Sequence, residues 1–542
     1  MNLIQSRHRR LAAYYAAFTA AILTAAASSA AEGEVAAAAT DTTRTPIVNI
    51  EGDAVRGVAV PGGYAFRGLP YAAAPVGDLR WRAPRPPAKW KGVRDATQFA
   101  PSCPQEPNRL KNPFVPPGPI SEDCLYLNVS TPDLPSHGSG RPVLVWIHGG
   151  GLTQDAARNY DGSDLAAEGT VVVTVNYRLG ALGFLAHPAL ASRPGGPAGN
   201  YGLMDQQAAL RWVQDNIKKF GGDPSNVTIA GQSAGGLSVL AHLVSHGSRG
   251  LFHRAIVQSG AFALTQAPLA DAEAFGQIFA TSAGCPDQSA ECLRTRPVSA
   301  LVDNFPPAAI PGVVDGDVLT ESIGTALAGG RFARVPVLNG INHDEEFLFV
   351  AALGLAVSNG TFVGVPPFNA ANYQSVIATV LGVPAARAAA IAAEYPLAAY
   401  PLPLVAFTTL MSDANFACPA LQVDRWTSAR VPTFAYQFND DTAPHSLAPP
   451  GALPFATHSS ELSYLFGLPN APFPPVLDAD QAALAAAMRG AWANFAASGD
   501  PSSAVLPWPS FDGGRVLSLA QPQSQVDAEN ATRHHCAFWA AG

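Results

Sequence analysis

The chain has 542 residues, of which 48% are hydrophobic and 14% are charged. This composition is typical of a well-packed globular protein and excludes a disordered chain. The formal net charge is −8 at pH 7. Because the sequence has no basic cluster interleaved with aromatic residues, we expect no nucleic-acid partner.

The N-terminus has the pattern of an export signal. Three of the first ten residues are arginine, an apolar alanine-rich run extends from Leu11 to about Ala27, and small residues follow. This order is typical of a cleaved signal peptide. We therefore predict a signal peptide over residues 1–30 with cleavage near Ala30, a disordered segment over 31–44, and a secreted or periplasmic protein. A retained N-terminal membrane anchor is the alternative.

Residues 45–542 are predicted to form a single domain, because no polar, linker-like stretch divides them. Two alanine-rich segments with helical spacing, 265–330 and 350–430, are interpreted as insertions over the domain rather than as a second one. No later run of about 18 residues is free of glycine, proline and charge, so we expect no membrane span in the mature chain.

The central region alternates strand-like and helix-like segments. Short apolar runs at 143–147 and 170–176 are predicted to be buried strands. A helical stripe of apolar residues covers 204–220 and ends in two glycines, and a further strand is predicted at 226–230. Strand, helix, strand in this order indicates an α/β fold with a large, mostly parallel sheet covered by helices.

A glycine run directly follows the first of these strands. It reads His148, Gly149, Gly150, Gly151. Consecutive glycines let backbone N–H groups approach a substrate carbonyl oxygen without interference from side chains. Gly150 and Gly151 are therefore candidate donors of an oxyanion hole, with a merely flexible glycine turn as the alternative.

The most informative motif is G-x-S-x-G at residues 231–235, between the strand at 226–230 and a helix-like run at 236–244. In that setting the motif predicts a nucleophile elbow, a sharp turn that holds a strained serine above the sheet. Ser233 is the candidate nucleophile, and the N–H of Ala234 is a third candidate oxyanion donor. A chance match is the alternative, since the chain has 49 glycines.

The acid and the base of such a site follow the serine in chain order. A strand-like run at 335–338 leads to three adjacent carboxylates at 344–346, and four histidines come later, namely His445, His458, His534 and His535. His458 precedes a short loop that enters an apolar helix-like segment, which favours it as the base. The residues alone leave the acid open among the three carboxylates, and any single histidine is more often structural.

Six cysteines in an exported chain indicate disulfide bonds. Their spacing does not select among the 15 possible connectivities. Metal binding is the alternative, but no C-x-x-C pair occurs, and the histidines beside Cys536 lack the spacing of a zinc site. We expect no metal and no organic cofactor.

Together these segments resemble the type-B carboxylesterase family, the cholinesterase-like branch of the α/β-hydrolases. The resemblance runs in order from about residue 45 to the end. Its matching segments are residues 66–72, 122–128, 146–151, 176–180, 220–224, 231–236, 340–345, 458–461 and 492–496.

The resemblance implies an α/β-hydrolase fold whose helical insertions form an active-site gorge. It implies Ser233 as the nucleophile, Glu345 as the acid and His458 as the base, with Ser259, near Glu461, supporting them. It also implies an ion pair of Arg80 and Glu122. The implied disulfides are Cys103–Cys124, Cys285–Cys292 and Cys418–Cys536.

Three positions depart from the family pattern. Glu346 stands where the family usually has glycine after the acid. Cholinesterases have glutamate before the serine and a tryptophan that stacks on a quaternary ammonium. Here Gln232 and, by ungapped spacing, Phe114 stand at those places. We predict that both contact the substrate and that the substrate is not a choline ester.

The expected function is a secreted serine carboxylesterase that hydrolyses small-molecule esters through an acyl-enzyme. A lipase is one alternative, although the loop between Cys103 and Cys124 is short and proline-rich for a lid. A specialised hydrolase of a polyester, a toxin or an aromatic plant ester is another. A non-catalytic binding protein of the same fold is the alternative from a different class.

Overall fold

The fold is described from a computed structural model of the chain. It covers residues 45–50, 53–108, 114–135, 140–191, 196–305, 312–349, 369–447 and 455–541. The predicted signal peptide at 1–30 and the predicted disordered segment at 31–44 lie outside the described residues.

The strands are short in the N-terminal part and reach eleven residues at the centre. They are β1 (Ile47–Ile50), β2 (Asp53–Arg56), β3 (Val58–Val60), β4 (Gly63–Pro70), β5 (Val93–Asp95), β6 (Tyr126–Thr131), β7 (Arg141–Ile147), β8 (Val171–Val175), β9 (Gly222–Gln232), β10 (Arg254–Gln258), β11 (Ala267–Pro268), β12 (Val313–Val314), β13 (Val337–Asn342), β14 (Thr433–Phe438), β15 (Val516–Leu519) and β16 (Gln525–Asp527).

The helices lie between and after these strands. They are α1 (Ser163–Ala167), α2 (Gly180–Phe184), α3 (Tyr201–Asn216), α4 (Ala234–Val244), α5 (Leu269–Ser282), α6 (Ala290–Thr295), α7 (Val298–Asp303), α8 (Ile323–Ala328), α9 (Tyr373–Leu381), α10 (Ala385–Glu394), α11 (Pro403–Ser412), α12 (Cys418–Ser428), α13 (Leu462–Leu465), α14 (Ala479–Ser498), α15 (Asn530–Arg533) and α16 (Cys536–Ala540).

Within the described ranges, eleven strands form the main sheet in the order β16-β15-β14-β13-β10-β9-β7-β8-β6-β4-β3. The strands from β8 through β15 in this order pair in parallel. The outer pairs are antiparallel at both edges. The prediction of a large, mostly parallel sheet is confirmed. Because parallel strands need crossover connections, helices cover both faces.

The central strands are buried on both faces. In β7, Val143, Val145 and Ile147 belong to one hydrophobic cluster, which α3 and α4 cover. The alternate residues Leu144 and Trp146 belong to a second cluster, which α14 covers. This alternation follows from the two-residue period of a strand and explains why the predicted strands read as continuous apolar runs.

The predicted helix at 204–220 differs at both ends. Helix α3 begins at Tyr201 and ends at Asn216, and a 3-10 turn, Ile217–Phe220, completes the segment. Gly221 follows with φ +87°, the left-handed conformation that ends helices. The apolar stripe therefore marks the helix and its terminal turn together.

The two predicted insertions contain their own small cores. Helices α5, α6 and α7 pack around Phe279, Leu293 and Leu301. Helices α9, α10 and α11 pack around Ile377 and Ile391.

One described helical stretch, Pro403–Ser428, is long and apolar enough to cross a bilayer. The bent pair Tyr373–Leu381 and Ala385–Ala399 meets the same test only when taken together. In the single stretch, 61% of the most apolar window is buried inside the protein, as in the core helix of a soluble protein. Length and composition therefore give weak evidence for a span.

The six cysteines form three disulfides, so none is available as a metal ligand. The pairs are Cys103–Cys124, Cys285–Cys292 and Cys418–Cys536. The third closes 118 residues of sequence and joins α12 to the C-terminal helix α16. The ion pair of Arg80 and Glu122 is bidentate, with both N–O distances 2.6 Å.

Candidate active site

Ser233 occupies the turn between β9, which ends at Gln232, and α4, which begins at Ala234. Its φ of 57° and ψ of −125° are strained for a residue with a side chain. The Ser233 N–H donates to the carbonyl oxygen of Gln258 at 2.8 Å, which fixes the turn against β10. The hydroxyl therefore stands at a helix N-terminus, where developing negative charge is favoured.

Glycine is required in this turn by close packing. A Cβ on Gly235 would lie 2.0 Å from the carbonyl oxygen of Ile147, and a Cβ on Gly231 would lie 2.5 Å from Gly235. Both distances are shorter than any ordinary contact. The motif is therefore a packing requirement here and not a chance match.

The glycine run after β7 lies against this turn. A Cβ on Gly149 would lie 3.1 Å from the Cβ of Ser233. Gly150 and Gly151 have φ of +80° and +62°, in the left-handed region that favours glycine. Across the described ranges, the N–H groups of Gly150, Gly151 and Ala234 have no hydrogen-bond acceptor. Three unpaired donors thus accompany the serine.

Sequence reasoning missed a tyrosine that supports the glycine run. The Tyr177 hydroxyl donates to the carbonyl oxygen of His148 at 2.8 Å, and the two rings stack at 4.5 Å. Both residues are buried. Burial is also the main reason why the pKa of His148 is lowered, so its ring is held neutral. The sequence signal was the matched segment 176–180, which gave no role to Tyr177.

Glu345 and His458 are in direct contact. Glu345 follows β13 and is fully buried, and one of its oxygens lies 2.5 Å from Nδ1 of His458. Its other oxygen accepts the backbone N–H of Asn342 at 2.8 Å. The two loops are joined by the N–H of Asp344, which donates to the carbonyl oxygen of Ala456 at 2.9 Å.

Several charges act on His458. Burial has the largest effect and lowers the pKa of His458, because it disfavours the imidazolium. The charge and hydrogen bond of Glu345, followed by the charges of Glu461 and Glu346, together outweigh burial and raise this pKa above its ordinary value. His458 therefore keeps its proton to a higher pH than a free imidazole.

The other two adjacent carboxylates have partners of their own. Asp344 lies 2.9 Å from Nδ1 of His343. Glu346 accepts the Asn415 amide at 2.6 Å, and its own N–H donates to Ser412 at 3.0 Å. Burial raises the pKa of Glu346. Among the described residues, Glu345 alone of the three carboxylates hydrogen-bonds to His458.

The remaining candidate histidines bond elsewhere. His445 donates from Nε2 to the carbonyl oxygen of His458 at 3.1 Å, and burial lowers the pKa of His445 to about 4. His534 and His535 contact Asp413 and Glu394, at 2.5 and 2.6 Å. His445 thus supports the His458 loop, whereas the last two belong to the C-terminal packing.

Gln258, the neighbour of Ser259, contacts Glu461 directly. Glu461 accepts the Gln258 amide at 3.0 Å and the Asn342 amide at 2.6 Å. Trp492 donates to the oxygen of Gln258 at 3.0 Å and so fixes the orientation of that amide. Ser259 has φ of 51°, and within the described residues its buried hydroxyl has no hydrogen-bond partner. Glu461 is near the site as predicted, but sequence reasoning missed Gln258.

Gln232 contacts His458 directly, whereas Phe114 lines a cleft that does not include His458 among its lining residues. The Gln232 amide nitrogen is 3.2 Å from Nε2 of His458. Phe114 lines a cleft of about 390 Å³ together with Ser459, the residue after His458. Buried Asp155, bonded to the Tyr160 hydroxyl at 2.6 Å, lines the same cleft.

Comparison with known proteins decides the family. A model of the carboxylesterase family matches residues 44–539 of the chain. The chain belongs to the carboxylesterase family.

Named relatives agree with this assignment. A cocaine esterase of Oryctolagus cuniculus is 37% identical over 520 residues, covering 91% of this chain and 95% of the relative. A pyrethroid hydrolase, Ces2e, of Rattus norvegicus is 37% identical and covers 86% of this chain and 85% of the relative. An acylcarnitine hydrolase of Mus musculus is 36% identical, with 83% and 82% covered.

A solved structure agrees as well. A thermophylic PNB esterase superposes with a TM-score of 0.76 at 30% identity, covering 91% of this chain and 100% of that structure. The predictions of the family, of the α/β-hydrolase fold and of a carboxylic ester hydrolase are confirmed.

Aromatic side chains form one wall of the site in this carboxylesterase. The rings of Phe349 and Phe416 lie 4.9 and 5.4 Å from the ring of His458, and Phe262 lies 5.6 Å from Phe416. Phe416 belongs to a π turn, Asp413–Ala417, that interrupts the stretch between α11 and α12. Sequence reasoning missed this wall, and no motif signals it.

Proposed function

We propose that this carboxylesterase acts through a triad of Ser233, His458 and Glu345. The observation that carries the proposal is the 2.5 Å contact between Glu345 and Nδ1 of His458, in a buried setting. The strained turn at Ser233 supports it, as does the contact of the preceding residue, Gln232, with Nε2 of His458. Serine, acid and histidine also occur in the order typical of the fold.

In the first step, Nε2 of His458 takes the Ser233 proton while Oγ attacks the ester carbonyl carbon. The Nδ1–H group of His458 donates a hydrogen bond to Glu345. This bond fixes the tautomer of His458 and stabilises its imidazolium form. The N–H groups of Gly150, Gly151 and Ala234 bind the oxyanion. The ester C–O bond then breaks, and His458 protonates the departing alcohol.

In the second step, water attacks the acyl-enzyme. His458 takes a proton from the water, the same three N–H groups bind the second oxyanion, and the proton returns to Oγ as the acid leaves. Each proton is carried by a named side chain. The scheme therefore uses neither a metal nor an organic cofactor.

The nucleophile is tested by Ser233→Ala. We expect kcat on a p-nitrophenyl ester to fall by about 10⁶-fold, because only binding and the oxyanion donors then remain. An organophosphate should transfer its phosphoryl group to Oγ of Ser233 in the wild-type enzyme, with loss of the leaving group, and should add nothing to the variant.

The matched control is Ser245→Ala, directly after the far end of the same helix α4, where the hydroxyl accepts the Gln207 amide and, within the part of the chain that is described, makes no other side-chain hydrogen bond. This variant should keep its activity. Near-full esterase activity in Ser233→Ala, or organophosphate labelling that persists in it, would exclude Ser233 as the nucleophile.

The role of Glu345 is tested by Glu345→Gln. His458 must be neutral to act as a base, so the activity of the wild-type enzyme rises with pH through the raised pKa of His458. Loss of the Glu345 charge removes the strongest of the effects that raise this pKa, so the acid limb of kcat/KM should move to lower pH. We also expect kcat to fall by about 10⁴-fold.

Glu346→Gln is the control for the same measurement, since Glu346 raises the pKa of His458 less than Glu345 does. In Glu346→Gln the acid limb of kcat/KM should also move to lower pH, but by less than in Glu345→Gln, and kcat should fall little. A limb that stays in place in Glu345→Gln, or moves to higher pH, would contradict the assignment of the acid.

We propose small esters with an apolar, preferably aromatic, acyl group as the substrate class. The wall of Phe349, Phe416 and Phe262 beside His458 supports this class. The named relatives act on varied esters, from cocaine to acylcarnitine. Cholinesterases have glutamate and tryptophan where this chain has Gln232 and Phe114, so we do not expect a choline ester as the substrate.

The wall is tested by Phe349→Ala, because this side chain is 39% exposed and its loss spares the core. The ratio of kcat/KM for p-nitrophenyl benzoate to that for p-nitrophenyl acetate should fall by about 3- to 10-fold. Phe538→Ala, which removes a ring packed against Arg387, should leave the ratio unchanged. An unchanged ratio in Phe349→Ala would exclude the wall, and a preference for emulsified triglyceride would favour a lipase.

We propose that the protein is exported. The N-terminal pattern over 1–30 supports this, and three disulfides suit an oxidising compartment. N-terminal sequencing of the exported protein should find a start near Ala31. Recovery of the arginine-containing N-terminus on the exported protein would contradict cleavage and favour a retained anchor.

A further inference from the structure

Two donors, the Gln232 amide and the Ser233 hydroxyl, compete for one acceptor atom, Nε2 of the proposed base His458. When His458 is neutral with its Nδ1 proton directed to Glu345, Nε2 has a single lone pair. The Ser233 hydroxyl needs that lone pair during attack. In the structure the Gln232 amide nitrogen lies 3.2 Å from Nε2. Throughout the described residues, the Ser233 hydroxyl has no hydrogen-bond partner.

The Gln232 amide is held in this position by burial and by the glycine run. Gln232 and His458 are each 3% exposed, so water does not readily replace the contact. The Gln232 amide oxygen lies 3.2 Å from the point that a Cβ on Gly149 would occupy. The amide thus fits between the base and the candidate oxyanion loop because residue 149 is glycine.

Three carboxylates act on His458 electrostatically. Glu345 and Glu346 come from the loop after β13, and Glu461 from the turn after His458 itself. His445 approaches only the His458 backbone and is neutral. Three carboxylates favour the imidazolium, which cannot accept a proton from serine. An amide N–H aimed at Nε2 favours the neutral ring.

We propose that Gln232 is a positioning residue that favours the neutral form of His458 in the free enzyme by donating its amide N–H to Nε2. The hydrogen bond then passes from Gln232 to Ser233 when an ester binds. This inference rests on the proposed function of His458 as the base. It gives a specific role to an amide at a position where cholinesterases have a carboxylate, which has no proton to donate to Nε2.

The inference is tested with two variants of nearly equal size, Gln232→Met and Gln232→Glu. Methionine removes the donor, so the acid limb of kcat/KM should move up by about 0.5–1 pH unit. Glutamate removes the donor and adds a charge, so its limb should move up by about 1–3 units. The pH dependence of organophosphate labelling of Ser233 should show the same order in the absence of turnover.

Gln437→Met is the matched control, because the chain repeats the arrangement away from Ser233. There the Gln437 amide nitrogen lies 2.7 Å from Nε2 of His534, whose Nδ1 bonds Asp413. This variant should lose the stability that a buried glutamine–histidine hydrogen bond provides. The acid limb of its kcat/KM profile should lie at the same pH as in the wild-type enzyme. Thermal unfolding of all three variants separates poor folding from a changed profile.

The outcomes are decisive. Limbs in the order wild type, methionine, glutamate support the inference. An unmoved or lower limb in Gln232→Met overturns it, whatever the limb of Gln232→Glu, because the added charge alone can raise the limb of the glutamate variant. If Ser233→Ala or a His458 variant keeps full activity, the triad proposal fails instead, and that result is independent of residue 232.

Discussion

The contact between Glu345 and His458 is the interaction on which the rest of the site depends. A fully buried carboxylate without a partner is strongly unfavourable, and so is a buried imidazolium. Each group makes the burial of the other tolerable, at a separation of 2.5 Å. The two residues are 113 positions apart in sequence, so only the assembled fold brings them together.

The sheet provides this assembly. The glycine run follows β7, the serine follows β9 and Glu345 comes soon after β13. Strands β7 and β9 are parallel neighbours, and β10 lies between β9 and β13, parallel to both. Ile147 pairs with Gly231, and Gln258 pairs with both Gln232 and Gly340. Parallel strands present their carboxyl ends at one edge, and ligands of open α/β sheets bind outside that edge. The candidate catalytic residues therefore lie at one edge of the sheet because the strands are in register.

The parts of this arrangement that the sequence predicts are those with a local signal. Buried parallel strands are apolar on both faces, so β7 and β8 read as short apolar runs. The turn at Ser233 needs glycine on each side because Ile147 and Gly235 approach too closely for any side chain. Gly221 also has a local signal, since its left-handed conformation after the terminal turn favours glycine.

The contacts that the sequence did not predict, those of Gln258 and Phe416, depend on local backbone conformation. Gln258 bonds Glu461, whereas the hydroxyl of Ser259, which has φ of 51° after the strand ends, has no hydrogen-bond partner among the described residues. Phe416 reaches His458 from a π turn that no pattern indicates. Sequence pattern fixes neither a local φ nor an extra residue in a helical turn, since tertiary contacts select both.

Crowded carboxylates around His458 create a conflict that the amides resolve. Glu346 and Glu461 are bonded to the side-chain amides of Asn415, Gln258 and Asn342, which lets their charges lie close to the base. In the proposed mechanism, that field stabilises the imidazolium formed as serine attacks, which lowers the barrier. The same field would protonate the base in the resting enzyme and leave nothing to accept the serine proton. A neutral donor on Nε2 opposes protonation before the ester binds, and it leaves the field in place for the charge that forms later. A carboxylate at position 232 would strengthen the field in both states. The amide at Gln232 therefore suits a site in which other residues already supply the negative charge.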